Sequence, residues 1–176
     1  PGGFLILIVM VSVALLIAIT IHEFSHALIA YYFGDDTAKR QGRVSLNPLV
    51  HLDPIGTLML LFVGFGWGKP VPVNSLRLRR EKDMALVAFA GPLSNLVFAA
   101  LIFLPFRFGN LVPPDFLVYV LFFSIVLALF NLIPIPPLDG FNMAMGLVPA
   151  RLTGQVYKYA IYGPIALVII IAADMF

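Results

Sequence analysis

The sequence contains no cysteine, so it can form neither a disulfide framework nor a thiolate metal site, and it implies no redox compartment. Charge is scarce as well. Asp, Glu, Lys and Arg make up 11% of the 176 residues, against about 25% in an ordinary soluble domain. A formal net charge of +2 is too small to imply nucleic acid as a partner. Histidine occurs three times and glutamate twice, so any site built from them uses a short supply. Apolar residues are abundant instead: 61% of the chain is hydrophobic and the mean hydropathy is +1.00. This is the composition of an integral membrane protein, with the lipid bilayer as its surroundings, and the length suits one compact unit, residues 1–176.

The apolar residues fall into segments. Residues 4–33 form the first, ~45 Å long if helical, which exceeds the ~30 Å hydrocarbon core and so requires tilt or protrusion. It is longer than the apolar part of a cleaved leader and no A-x-A-like site follows, so it is expected to be a retained span. The chain opens on Pro1-Gly2-Gly3 and reads as a fragment or a trimmed sequence. Residues 34–83 differ sharply, holding eight of the eleven basic residues. Short strands are expected at 42–46 and 71–74, bounded by proline and glycine. Between them, residues 56–68 are apolar, interrupted by glycine and too short to span, which fits a re-entrant or interfacial loop packed near the site. Residues 84–106 and 116–133 are expected to span, and 156–173 to form a weaker fourth span interrupted by Gly163-Pro164. The expected fold class is therefore an all-α integral membrane protein. It is a polytopic helical bundle of three core spans plus a fourth, with a small β or re-entrant loop region. The basic loop is expected to be cytoplasmic.

The first segment carries His22-Glu23-Phe24-Ser25-His26, an H-E-x-x-H pattern. Residues four apart share a helix face, so His22 and His26 can address one metal ion, and Glu23 can hold and deprotonate a water beside it. Between Gly3 and Phe33, Glu23 is the one formal charge. An isolated carboxylate and two imidazoles at membrane depth mark a functional site by default. His22 should lie about twelve residues, ~18 Å, from the cytoplasmic end of its helix.

A catalytic zinc site needs a third protein ligand and one open position. The residues leave His51, Asp53 and Asp139 as candidates. Asp115 belongs to the turn on the far side. Asp139 is favoured because it sits in a segment broken by Pro134, Pro136 and Pro137, and interrupted helices mark sites in membrane proteins. An N-cap on a helix starting at Gly140 competes with that role. His51 is expected to hydrogen-bond within its loop, and Asp53-Pro54 to start a turn.

The combination of His22-Glu23-Phe24-Ser25-His26 with Asn131…Leu138-Asp139-Gly140 resembles the site-2 protease family of zinc intramembrane metalloproteases. Gly91-Pro92-Leu93-Ser94-Asn95 is similar to that family's G-P-x-x-N element. Asn47-Pro48…His51-Leu52-Asp53-Pro54-Ile55-Gly56-Thr57 looks like a loop of its short bacterial and archaeal members. Nothing in the sequence resembles an inserted PDZ domain or a pair of CBS domains. The resemblance implies that His22, His26 and Asp139 hold Zn2+, that Glu23 is the catalytic acid and base, and that Asn95 lies near the site, holding substrate backbone or a developing oxyanion. It implies a zinc endopeptidase in a prokaryotic cell membrane acting on transmembrane protein substrates, with no oligomeric state specified. Two rivals remain: a membrane zinc transporter, against which the few membrane histidines and acids speak, and an inactive membrane scaffold, against which the intact Glu23 speaks.

Overall fold

The structure is a computed structural model and describes residues 2–63, 67–80 and 82–173. Among them the chain is helical: α1 (Gly2–Tyr32), α2 (Thr37–Arg40), α3 (Pro54–Val63), α4 (Asp83–Gly109), α5 (Asp115–Asn131), α6 (Asp139–Met145), α7 (Ala150–Ala160) and α8 (Gly163–Ala173). Helices α1 and α4 are long and apolar enough to cross a membrane, and α5 is apolar but shorter. These three match the expected spans 4–33, 84–106 and 116–133 to within a few residues.

Three helices make the core: α1, α4 and α5 pack on one another, and α6 packs on α4. The packing follows from where the small residues lie. In α1, Ala14, Ala18, His22, His26 and Ala30 recur every four residues, and all are buried. In α4 the series is Val87, Gly91, Asn95 and Ala99, and in α5 it is Val120, Ser124 and Ala128. A four-residue period keeps each series on one helix face. Small residues there let backbones approach closely, as helices do in lipid, where burying large side chains gives no advantage over leaving them in hydrocarbon. The large apolar residues accordingly face outward, Phe4, Leu5 and Ile6 among them. Two hydroxyls of α1 are satisfied on their own backbone, Thr20 on the Leu16 carbonyl at 2.7 Å and Ser25 on the Ile21 carbonyl at 2.8 Å.

Helix α1 is closed by a Schellman motif. Gly34, at φ +105°, lets its own N–H reach the Tyr31 carbonyl and the Asp35 N–H reach the Ala30 carbonyl. From there the segment 67–80 is stitched back along α1. The Val71 N–H donates to Glu23, the Asn74 N–H to Asp35 and the Arg79 N–H to the Phe33 carbonyl. Beneath it, Ala30, Leu78 and Val87 form a small cluster joined by Phe33, Val73 and Met84. At the surface, hydrogen bonding to Arg40 first and to Arg77 next holds the Asp36 carboxyl below its ordinary range.

Two expectations are corrected. Residues 42–46 and 71–74 form no strand; the described residues hold one isolated antiparallel bridge, Leu52 to Gly68. At 71–74 the donors go elsewhere: Pro72 has no N–H, the Val71 N–H serves Glu23 and the Asn74 N–H serves Asp35. Residues 56–63 are helical, part of α3, while 64–66 lie outside the described residues. The Leu52–Gly68 bridge closes this excursion, so it leaves and returns at one point beside α1, where Trp67 crosses so near Gly56 that no methyl fits. Residues 156–173 carry the expected interruption: the turn before Gly163-Pro164 divides them between α7 and α8.

Asp35 is wholly buried and serves Thr37 and Asn74 together. Asp35→Ala should lower unfolding stability in detergent by about 2–4 kcal/mol, measured by denaturant titration, because buried amides lose a charged acceptor.

Candidate metal centre

His22 and His26 belong to the small-residue face of α1, and their rings meet edge to face with centroids 4.6 Å apart. What lies opposite is Gly91 of α4. A Cβ there would meet His22 Nε2 at 2.7 Å and His26 Nε2 closer still. The glycine is therefore required by close approach, and Pro92 behind it is equally buried.

Asp139 arrives from the other side of the sequence. After α5 ends at Asn131, Pro134, Pro136 and Pro137 prevent helix from continuing, and the chain folds back through short turns. Gly140 then packs on the backbone of Leu132 and Ile133 with no room for a side chain. That contact sets Asp139 as the first residue of α6, against α1. Asp139 Oδ2 lies 2.9 Å from His22 Nε2 and 3.1 Å from His26 Nε2. The N-cap position of α6 is Leu138, with no side-chain cap bond, so Asp139 is not the cap that competed with ligation.

The donor chemistry of this triad suits a cation. His26 Nδ1–H donates to the Val87 carbonyl at 2.7 Å, which leaves the Nε2 lone pair facing a carboxylate oxygen. With Nε2 unprotonated, two acceptors meet at contact distance, and a cation between them relieves the repulsion. The three ligand atoms all lie within 4.8 Å of one another. The edge of a tetrahedron with bonds of ~2.0 Å is ~3.3 Å, so a small movement admits a zinc-sized ion.

Glu23 turns away from the ligand face, and its Oε2 accepts from the Val71 N–H at 2.9 Å. Asn95, one turn beyond Gly91, is fully buried, and neither atom of its amide has a partner among the described residues. The His22 Nδ1 and Ser124 Oγ atoms are likewise unpartnered. The remaining candidates fall elsewhere. His51 is buried in its loop, where Nε2–H donates to the Ser45 carbonyl at 2.7 Å and the carbonyl accepts from Lys69. Asp53 caps α3, accepting from the Gly56 N–H at 2.8 Å. Asp115 opens α5. The sequence reading missed the Val87 carbonyl, the Val71 amide and Arg43, which is buried and bonded to the Lys69 carbonyl. For Val71 there was a signal: it carries the one N–H in Pro70-Val71-Pro72.

Two small apolar cavities of about 220 and 140 Å3 flank α1 on the N-terminal side of His22, and neither is lined by His22, His26 or Asp139.

Comparison with known proteins agrees with this chemistry. Residues 109–171 match the profile of peptidase family M50, a stretch that contains Asp139. The chain is 41% identical over 175 residues to "Putative zinc metalloprotease YwhC" of Bacillus subtilis, covering 93% of this chain and 80% of that protein. It is 30% identical over 152 residues to "Putative zinc metalloprotease Rip2" of Mycolicibacterium smegmatis, covering 81% of this chain and 58% of that one. Against the Rip2 protein of Mycobacterium tuberculosis strain Erdman the figures are 29% over 175 residues, 88% and 66%. The chain thus spans less than two thirds of the Rip2 relatives' length. No solved structure matches.

Gly91→Ala should weaken zinc binding at least about tenfold, measured by metal competition, because the methyl enters the space of both imidazoles. Gly154→Ala, at a position with nothing within 4 Å, should leave it unchanged.

Proposed function

The chain belongs to peptidase family M50 and is a zinc metalloprotease, and from that premise we propose that it is an intramembrane endopeptidase that cuts transmembrane protein substrates. The observation that carries this reading is the meeting of His22 Nε2, His26 Nε2 and Asp139 Oδ2 on the small-residue face of α1. These three residues would hold the zinc. His22 is ten residues before Tyr32, the last of α1, or ~15 Å along the axis, which supports a site below the membrane surface. When bound, zinc supplies a Lewis acid that polarises a carbonyl and acidifies water.

The chain's own residues do the rest. Glu23 is the general base: it takes a proton from a water and passes it to the nitrogen of the leaving amine. Its position beside His22 in the sequence and its second carboxylate oxygen, without a hydrogen-bond partner among the described residues, support that role. Asn95 holds substrate backbone or the developing oxyanion through its amide, a role supported by its complete burial without a partner. The Val87 carbonyl keeps His26 in the tautomer that presents Nε2. Small residues around the site exclude bulk water.

The same reading makes the chain a multi-pass membrane unit. Helices α1, α4 and α5 are its core spans, and α3 with the 67–80 segment forms a re-entrant element beside α1. The cluster of basic residues between α1 and α4 supports a cytoplasmic position for that loop. Water and the scissile segment then reach the site from that side, and the substrate helix must unwind for its amides to be attacked.

In detergent, Glu23→Gln should retain zinc and lose cleavage of a transmembrane peptide by about 100- to 10,000-fold. Asn95→Ala should lose about 100- to 1,000-fold, also with zinc retained. Zinc flux into vesicles without proteolysis would overturn the peptidase reading in favour of a transporter.

A further inference from the structure

Glu23 has one hydrogen-bond partner among the described residues, and that partner is unusually well prepared. Pro70, Val71 and Pro72 are consecutive. Proline carries no amide hydrogen, so Val71 has the one N–H of the tripeptide. Residues preceding proline are confined to extended backbone, which restricts both Lys69 and Val71. The direction of the Val71 N–H is therefore largely set before it meets Glu23 Oε2 at 2.9 Å.

The segment is anchored on both sides of that contact. The Lys69 N–H donates to the His51 carbonyl at 2.8 Å, and the Lys69 carbonyl accepts from Arg43 Nη2. Downstream, the Asn74 N–H donates to Asp35 Oδ2 at 2.6 Å. Arg43 itself is 3% exposed, and its Nε has no partner among the described residues. A guanidinium so buried persists when a compensating anion is near. Burial pushes it down from its ordinary value, and the Glu23 charge opposes that push. Arg43 thus ties down the residue two before Val71.

We propose that Val71 and Arg43 are positioning residues for Glu23: the Val71 amide grips one carboxylate oxygen, Arg43 fixes the gripping segment, and the second carboxylate oxygen is left for proton transfer. This rests on the peptidase reading above. Neither residue moves a proton; both act through the orientation of Glu23. An untethered glutamate has three rotatable side-chain bonds, and its time in a productive orientation falls accordingly. Partners that orient a reacting group from one shell out are typically worth about 10- to 100-fold in activity.

The test uses the full chain in detergent with a transmembrane peptide substrate. The sequence has two glutamates, Glu23 and Glu81. In a Glu81→Gln background, glutamate isotope-labelled at the side-chain carboxyl makes Glu23 the single reporter in the infrared spectrum. Val71→Pro removes the N–H, and Val71→Ala keeps it. Val71→Pro should shift the carboxylate band, keep zinc and melting temperature, and lower kcat about 10- to 100-fold with little change in KM. Val71→Ala should do none of this. Arg43→Gln should lower kcat in the same way, and Arg43→Lys, which keeps the charge, should recover part of it. An unchanged band in Val71→Pro, or a shifted band with unchanged kcat, would overturn the proposal. A wild type no faster than Glu23→Gln, with the band shift present, would instead overturn the peptidase reading and leave the Val71–Glu23 bond standing.

Discussion

Everything at the centre of this protein depends on how near the backbone of α4 comes to the two imidazoles of α1. At Gly91 no methyl group fits beside His22 and His26. That approach is possible because α1 and α4 present four-residue series of small side chains to one another. It brings the Val87 carbonyl to His26 Nδ1 and so selects the tautomer that presents Nε2. It buries Asn95 one turn further on, with its amide unpaired among the described residues. In a soluble protein such a seam would forgo much hydrophobic stabilisation. In lipid the large side chains gain little by turning inward, so the seam is free to hold polar groups.

In the proposed reading helix α1 is scaffold, ligand source and base at once, and it is held along much of its length. The Schellman motif at Gly34 ends it, and Asp35 and Phe33 tie its end to the returning segment. The same segment reaches back to Glu23 through Val71. Asp139 closes the third side from α6, whose position is set by Gly140 lying flat on the backbone after α5. Two glycines, Gly91 and Gly140, therefore govern the distances among the three ligand atoms, although neither touches substrate chemistry itself.

Much of this was legible in the sequence. The H-E-x-x-H spacing placed His22 and His26 on one face, and the long apolar runs located α1, α4 and α5 to within a few residues. Asp139 could be favoured from the proline break before it, yet 113 residues separate it from His26, and no local rule spans that gap; the resemblance to the site-2 protease family made it firm. The competing roles of His51 and Asp53 were readable as loop and turn chemistry, and the structure has them so. The misread stretches have separate causes. At 71–74 the flanking proline and glycine suggested a strand, but the Val71 and Asn74 N–H groups serve Glu23 and Asp35 instead of a ladder. At 56–68 a short apolar run interrupted by glycine was read as a re-entrant or interfacial loop, and part of it is α3. At 156–173 the interruption at Gly163-Pro164 was readable, and there α7 gives way to α8. The grip of Val71 on Glu23 depends on tertiary placement and could not be seen from spacing.

The central claim, that His22, His26 and Asp139 form one zinc site on the small-residue seam, is tested most directly by X-ray absorption at the zinc edge of the purified chain. The account predicts one zinc per chain with two imidazole nitrogens and carboxylate or water oxygen at ~2.0–2.2 Å. It predicts further that Asp139→Ala alters this shell while His51→Ala leaves it intact. An intact shell in Asp139→Ala, or one disrupted in His51→Ala, would contradict it.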